Sequence, residues 1–175
     1  MTYKEKITEL FTEYSKDPQV VHVGYNVLYG KAGGTLIGVD EKQLIETPVC
    51  ENLMVGMAIG MSLNGYKPIV YFERMDFIMN AMDAIINHAV KLKDLSGGLF
   101  CPNVWLRCVV GNSKKPLYTG STHTQDFSWF FGGYMRVFDL DTYSDYSIRN
   151  KLFSAKDSNA VRMTIEYKDL YDEQV

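Results

Sequence analysis

Apolar residues recur at helical spacing near the start of the chain. Ile7, Leu10, Phe11 and Tyr14 share one face of a helix predicted over Lys4 to Ser15. Asp17-Pro18 ends it, because the residue before a proline is pushed out of the helical region. Val20 to Val23 reads as a short strand, and the glycines at 24, 30, 33, 34 and 38 predict a loop. Ile45 to Val49 predicts a brief strand leading into a nearly all-apolar helix, Glu51 to Leu63, which Asn64-Gly65 stops. Pro68 to Phe72 reads as a buried strand. A long amphipathic helix is expected from Asp76 to about Leu95, with Ile78, Met82, Ile85, Ala89 and Leu92 as its core stripe. Asn80, Asp83, Asn87, Lys91 and Asp94 fall on its solvent side. Val104 to Val110 is the next strand and Gly111 to Gln125 a polar loop. Strand Met135 to Leu140, helix Tyr143 to Ala155 and strand Val161 to Ile165 complete the pattern.

Strands alternating with helices predict an α/β fold: a doubly wound, mostly parallel sheet with helices on both faces. No repeat, low-complexity segment or linker divides the chain, so residues 1–175 are read as a single domain. At 175 residues and 46% hydrophobic, it can bury one substantial core. The net charge of −3, with no basic run longer than Lys114-Lys115, offers no footprint for nucleic acid. The most apolar run, Leu53 to Leu63, is far shorter than the roughly 20 residues of a membrane span. The first residues lack the apolar core of a signal peptide and include acids that a transit peptide avoids, so a cytoplasmic location is expected. The three cysteines form no C-x-x-C, in keeping with reduced thiols there. Neither the phosphate-loop pattern nor G-x-G-x-x-G occurs. The three histidines are too scattered to suggest a metal site.

A few residues stand out as candidate chemistry. Glu51 heads the apolar helix; on that ground alone, a carboxylate in a first turn stabilises the helix dipole by about a few tenths of a kcal/mol. Gly56 and Gly60 lie one turn apart on the same face. Each costs on the order of 1 kcal/mol against alanine, so a close contact must compensate, with the protein's own sheet or with another subunit. Phe77 by itself reads as a core aromatic, and His123 as an exposed loop histidine. His22 in a strand and His88 on the long helix are assigned structural roles.

The pattern Glu51, four residues, then Gly56-Met57-Ala58-Ile59-Gly60-Met61 resembles the pyrimidine-binding motif of thiamine diphosphate enzymes. Within that group the likeness is to the β subunit of the first component of 2-oxoacid dehydrogenases, of the pyruvate and acetoin type, over roughly Asp17 to Glu166. The resemblance implies the thiamine diphosphate-binding fold. It also implies that Glu51 holds the aminopyrimidine and drives the tautomer shift by which the cofactor loses its thiazolium proton. An apolar setting from Met54, Val55 and Met57 would raise the carboxyl pKa for this task. Phe77 corresponds to an aromatic ring that orients the aminopyrimidine. His123, in Ser121-Thr122-His123-Thr124-Gln125, resembles the H-S-Q segment of these subunits and is implied to handle protons on the substrate side. Gly56 and Gly60 are implied to lie at a subunit contact.

The implied protein is one subunit of a split enzyme acting on a small 2-oxoacid or ketose, by decarboxylation or two-carbon transfer. The second half of the site is expected elsewhere. No G-D-G…N-N pattern is present, the nearest approach being Gly38-Val39-Asp40, so magnesium and the diphosphate are assigned to a separate diphosphate-binding partner. Self-association, as a dimer or as a heterotetramer with that partner, is also expected. Three departures accompany the likeness. Gly24-Tyr25-Asn26 lacks the acidic residue found after the first-strand glycine in related subunits. The family's R-G-P-N-G segment is read as Arg107-Cys108-Val109-Val110-Gly111-Asn112. The chain stops at Val175 where such subunits continue into a further domain, which speaks against membership of a large dehydrogenase complex. The alternative reading is a non-catalytic structural or regulatory subunit that retains the fold.

Overall fold

The computed structural model describes residues 1–114 and 120–175. Its sheet has the strand order β2-β1-β3-β4-β6-β5, and every neighbouring pair is parallel. The strands are β1 Val20–Gly24, β2 Leu44–Glu46, β3 Lys67–Phe72, β4 Trp105–Val110, β5 Arg136–Asp139 and β6 Arg162–Tyr167. Register puts Ile69 opposite Trp105, Trp105 opposite Arg162 and Arg162 opposite Arg136. The expected doubly wound α/β architecture is therefore present. The observed β2 is shorter than the expected Ile45 to Val49, because the chain leaves the sheet to turn into the helix at Glu51.

Successive side chains of a strand point to opposite faces, and both faces of this sheet are covered. On one side lie α1 (Tyr3–Tyr14) and α5 (Asp145–Lys156), which pack Ile7, Leu10, Phe11, Ile148 and Leu152 against Ile69, Tyr71, Trp105 and Val109. A capping box joins Thr2 and Glu5 at the start of α1, satisfying two otherwise free N–H groups. On the other side α2 (Glu51–Leu63) and residues 75–90 cover Val70, Phe72, Leu106, Cys108, Met163 and Ile165.

The stretch expected as one long α-helix winds differently. Met75–Ala81 is a 3-10 helix, Ala84–Val90 a π-helix, and only Leu92–Leu95 (α3) is α-helical. The burial pattern gives the reason: Met75, Ile78, Ala81 and Ala84 recur every third residue, the period of a 3-10 helix, and the pattern then shifts to Ile85 and Ala89. Met82 and Leu92, assigned to the core stripe, are only partly buried. A short helix, α4 (Ser128–Phe131), was not anticipated. The loop expected over Gly111 to Gln125 is without helix or strand in its described part; residues 115–119 lie outside the described residues.

The α1/α5 face also buries charge. Arg107 and Glu166 are fully buried and joined by two hydrogen bonds, Nε to Oε1 at 2.5 Å and Nη2 to Oε2 at 2.9 Å. Thr35 Oγ1 accepts from Nη2 at 2.6 Å, and the Tyr171 hydroxyl donates to Glu166 at 3.0 Å. Burial disfavours the guanidinium charge, but the Glu166 carboxylate more than offsets this and holds Arg107 above its ordinary pKa. His22 is sealed in the same layer, its Nε2 2.9 Å from Ser15 Oγ. Burial first, and the Arg107 charge second, pull its pKa down to about 3.

Candidate active site

In an open parallel sheet, ligands bind beyond the carboxyl ends of the strands. Here those ends hold a cleft of about 630 Å³, counting its solvent-facing mouth. Glu51, Phe77 and His123, far apart in sequence, all line it. Tyr25, Met54, Glu73 and Arg74 line it too.

Glu51 opens α2 and is buried, although no side chain caps the helix. Asn80 Nδ2 donates to its Oε2 at 3.3 Å. Its Oε1 takes no hydrogen bond from the described residues. A carboxylate oxygen with unused accepting capacity, on a cleft wall shared with Val49 and Met54, suits a ring nitrogen that carries or shares a proton. Asn80 was assigned to solvent; it is exposed, but its amide reaches back to the carboxylate.

Phe77 is 37% exposed, which sets it apart from a core phenylalanine. Its ring meets the His123 imidazole edge-on, with centroids 5.2 Å apart and planes at 87°. The His123 loop is tied at several points. Asp76 Oδ1 accepts from Gln125 N at 3.2 Å and Nε2 at 2.9 Å, and the Tyr167 hydroxyl donates to Asp126 at 3.0 Å. Gly111 lets the loop close: a Cβ there would sit 1.8 Å from the His123 carbonyl oxygen.

Beside the cleft, the segment that follows β1 is tied to the edge of the sheet. Gly24 ends β1 where a Cβ would lie 2.7 Å from the Tyr71 carbonyl oxygen, so strand and turn close tightly. The following Asn26 donates its N–H to Glu46 at 2.7 Å and its side-chain amide to Glu73 at 3.0 Å. Glu46 also accepts from Leu28 N at 2.8 Å. The reading of Arg107 to Asn112 as the segment entering the site requires correction. Arg107 lies in mid-strand on the opposite, sealed face, and only Gly111 and Asn112 reach the strand end. Arg74, Glu73 and Glu46 were missed. Their signal was positional, since each ends or directly follows a strand at the carboxyl edge of the sheet.

Gly56 and Gly60 do not pack against the protein's own sheet. Both are exposed, nothing lies within 4 Å of a Cβ at either, and Leu53 and Leu63 on the same helix are 44% and 41% exposed. His22 is in the buried layer described above, and His88 sits on the surface 3.2 Å from Asp83. Among the described residues no group of three or more His, Cys, Asp or Glu is arranged to hold a metal ion. No helix of the described residues is long and apolar enough to cross a membrane.

Comparison with known proteins agrees with this architecture. Residues 1–111 match the family model for the transketolase pyrimidine-binding domain. The chain is 32% identical over 180 residues to the mitochondrial pyruvate dehydrogenase E1 component subunit beta of Saccharomyces cerevisiae, covering 99% of this chain and 48% of that one. It is also 32% identical over 137 residues to the corresponding subunit of Chaetomium thermophilum, covering 75% and 35%. The chain thus spans about half, or less, of the length of these relatives. Among solved structures, a split gene transketolase, an inactive beta4 tetramer, superposes with a TM-score of 0.72 at 14% identity, over 96% of this chain and 52% of that one. Transketolase from Campylobacter jejuni gives 0.71 at 12% identity, over 95% and 26%. With well over half of its residues matched by the family model, on a parallel sheet of the same fold, the chain belongs to the transketolase pyrimidine-binding domain family.

Proposed function

We propose that this chain is the pyrimidine-binding subunit of a split thiamine diphosphate enzyme acting on a small 2-oxoacid or ketose. The observation that carries the reading is the meeting of Glu51, Phe77 and His123 in one cleft at the carboxyl edge of the sheet. The cofactor, when bound, supplies a carbon nucleophile that attacks the substrate carbonyl. Glu51 would hold a proton toward the aminopyrimidine ring nitrogen, with Asn80 steadying the carboxyl group through Oε2. Buried Met54 lines the same wall and gives that hydrogen bond an apolar neighbour. Phe77 presents an aromatic surface that orients the ring, and His123, braced against it, moves protons on the substrate side.

Magnesium and the diphosphate belong, in this reading, to a partner polypeptide. The exposed α2 face, with its two glycines and flanking leucines, is the surface through which subunits meet. The likeness of fold to a split gene transketolase solved as an inactive beta4 tetramer supports self-association without the partner. The test is co-purification with the diphosphate-binding polypeptide followed by calorimetric titration with thiamine diphosphate and magnesium. The expected result is no measurable binding by this chain alone at micromolar concentration and clear binding by the complex. Tight magnesium-dependent binding to the isolated chain, or none to the complex, overturns the reading.

A further inference from the structure

We infer that Arg74 is the substrate-recognising cation of the cleft, taking the anionic end of the molecule that reacts beside His123, a carboxylate or a phosphate. This role deepens the proposed function and rests on it. The charge pattern of the cleft is the first ground. Among the described residues its walls carry two carboxylates, Glu51 and Glu73, and one lysine or arginine side chain, that of Arg74. A carboxylate such as that of Glu73 repels an anionic substrate, and among the described lining residues the Arg74 guanidinium is the side chain that offsets this.

The state of Arg74 is the second ground. Its side chain is only 14% exposed. Nη1 donates to the Glu73 carbonyl oxygen at 2.7 Å, a neutral acceptor that aims the group without neutralising it. The Glu73 carboxylate is 3.8 Å from Nη1, a long single contact, and is itself held by the Asn26 amide. Among the described residues Arg74 makes no other hydrogen bond, which leaves most of its five N–H donors for a carboxylate or phosphate, whose paired oxygens a guanidinium fork fits best.

Position is the third ground. A Cβ at Gly111 would meet both the Arg74 Cδ, at 3.1 Å, and the His123 carbonyl oxygen, at 1.8 Å. The arginine stem and the His123 backbone therefore close over the same glycine, which puts the guanidinium on the His123 side of the cleft. The half-buried Lys168 adds to the local positive charge; burial first, and the nearby Arg74 second, hold its pKa below the ordinary value.

Nuclear magnetic resonance titration of the isotopically labelled chain tests this directly, with pyruvate in one arm and inorganic phosphate in the other, following the Arg74 Nε and His123 resonances. Saturable shifts at both residues are expected in at least one arm. They should vanish in Arg74→Gln and weaken about tenfold in Arg74→Lys, which keeps the charge but loses the fork. The arm with the tighter response identifies the anion as carboxylate or phosphate. Absence of response in both arms, or shifts that persist in Arg74→Gln, overturn the assignment. In the reconstituted enzyme, Arg74→Gln should raise KM for the anionic 2-oxoacid about tenfold or more while leaving its neutral methyl ester and thiazolium hydrogen exchange unaffected. Equal losses on acid and ester also overturn it. Failure of the complex to bind thiamine diphosphate would remove the enzymatic reading but leave the titration result standing; a silent titration would do the reverse.

Discussion

Two arginine–glutamate pairs sit on this sheet and do opposite things. Arg107 and Glu166 are fully buried on the α1/α5 face, joined by two short hydrogen bonds, with Thr35 and Tyr171 taking up further bonding capacity. Arg74 and Glu73 stand at the carboxyl edge of the sheet, 3.8 Å apart, with side chains 14% and 30% exposed. In the first pair the charges satisfy each other, and that network is architecture. In the second, the charges are oriented by neutral partners (a backbone carbonyl and the Asn26 amide) and remain available. Glu51 follows the second pattern, held by one long hydrogen bond from Asn80. Where a chain leaves charge only partly compensated in a cleft, a ligand is the natural complement.

The sharpest test of that contrast is Glu51→Gln in the complex with its partner. Turnover should be abolished, while affinity for thiamine diphosphate stays within about tenfold, roughly 1.4 kcal/mol. Glutamine keeps the volume and a hydrogen bond but cannot supply the proton. Collapse of thiazolium hydrogen–deuterium exchange is the expected signature, and exchange at the unmodified rate would reduce Glu51 to a helix-end carboxylate.

The sealed pair should show its character in stability. Arg107→Met leaves Glu166 buried without a counter-charge and should cost roughly 3–5 kcal/mol in chemical denaturation. Arg74→Gln, at the cleft, should stay within about 0.5 kcal/mol of the unmodified chain. Comparable losses for both would erase the distinction between the two pairs.

His22 gives the sealed face a pH signature. It is buried neutral with a pKa of about 3, against 6.5 when exposed. Its stabilising contribution is therefore fully present above the unfolded value and declines as pH falls from there toward about 3. The slope from this residue is about 1.4 kcal/mol per pH unit. Denaturation curves between pH 7 and pH 4.5 should follow it, and His22→Gln should flatten the profile.

The smallest effect belongs to the open face of α2. Gly56→Ala and Gly60→Ala meet no neighbour within 4 Å, so each should stabilise the isolated chain by about 0.5–1 kcal/mol through helix propensity. If another subunit's backbone closes on this face, the same methyl groups should weaken assembly, measured by light scattering. Stabilisation with unchanged assembly would move the contact elsewhere.

Much of this molecule was legible from local pattern. The largely apolar strands, the helix over Lys4 to Ser15 and the alternation of element types specified a parallel sheet covered on both faces, because periodicity records which side of an element meets a core. Glu51 stood out through the resemblance of its helix, with Gly56 and Gly60, to a family motif; by itself it reads as a helix-end carboxylate. The tertiary structure decided what depends on distant neighbours. Arg107 and Arg74 are both arginines in or just beyond strands. Strand order and register bring Glu166, 59 residues away in sequence, to the first, and the cleft to the second. His123 reaches Phe77 only because Gly111 has no side chain and because Asp76 binds Gln125, 49 residues further on. The 3-10 winding of Met75–Ala81 was settled by the surface it covers, since burial at every third residue favours a tighter helix than propensity alone would choose. Local sequence encodes which groups are present and which face they take; only the packed sheet determines which charges are neutralised and which are left for a ligand.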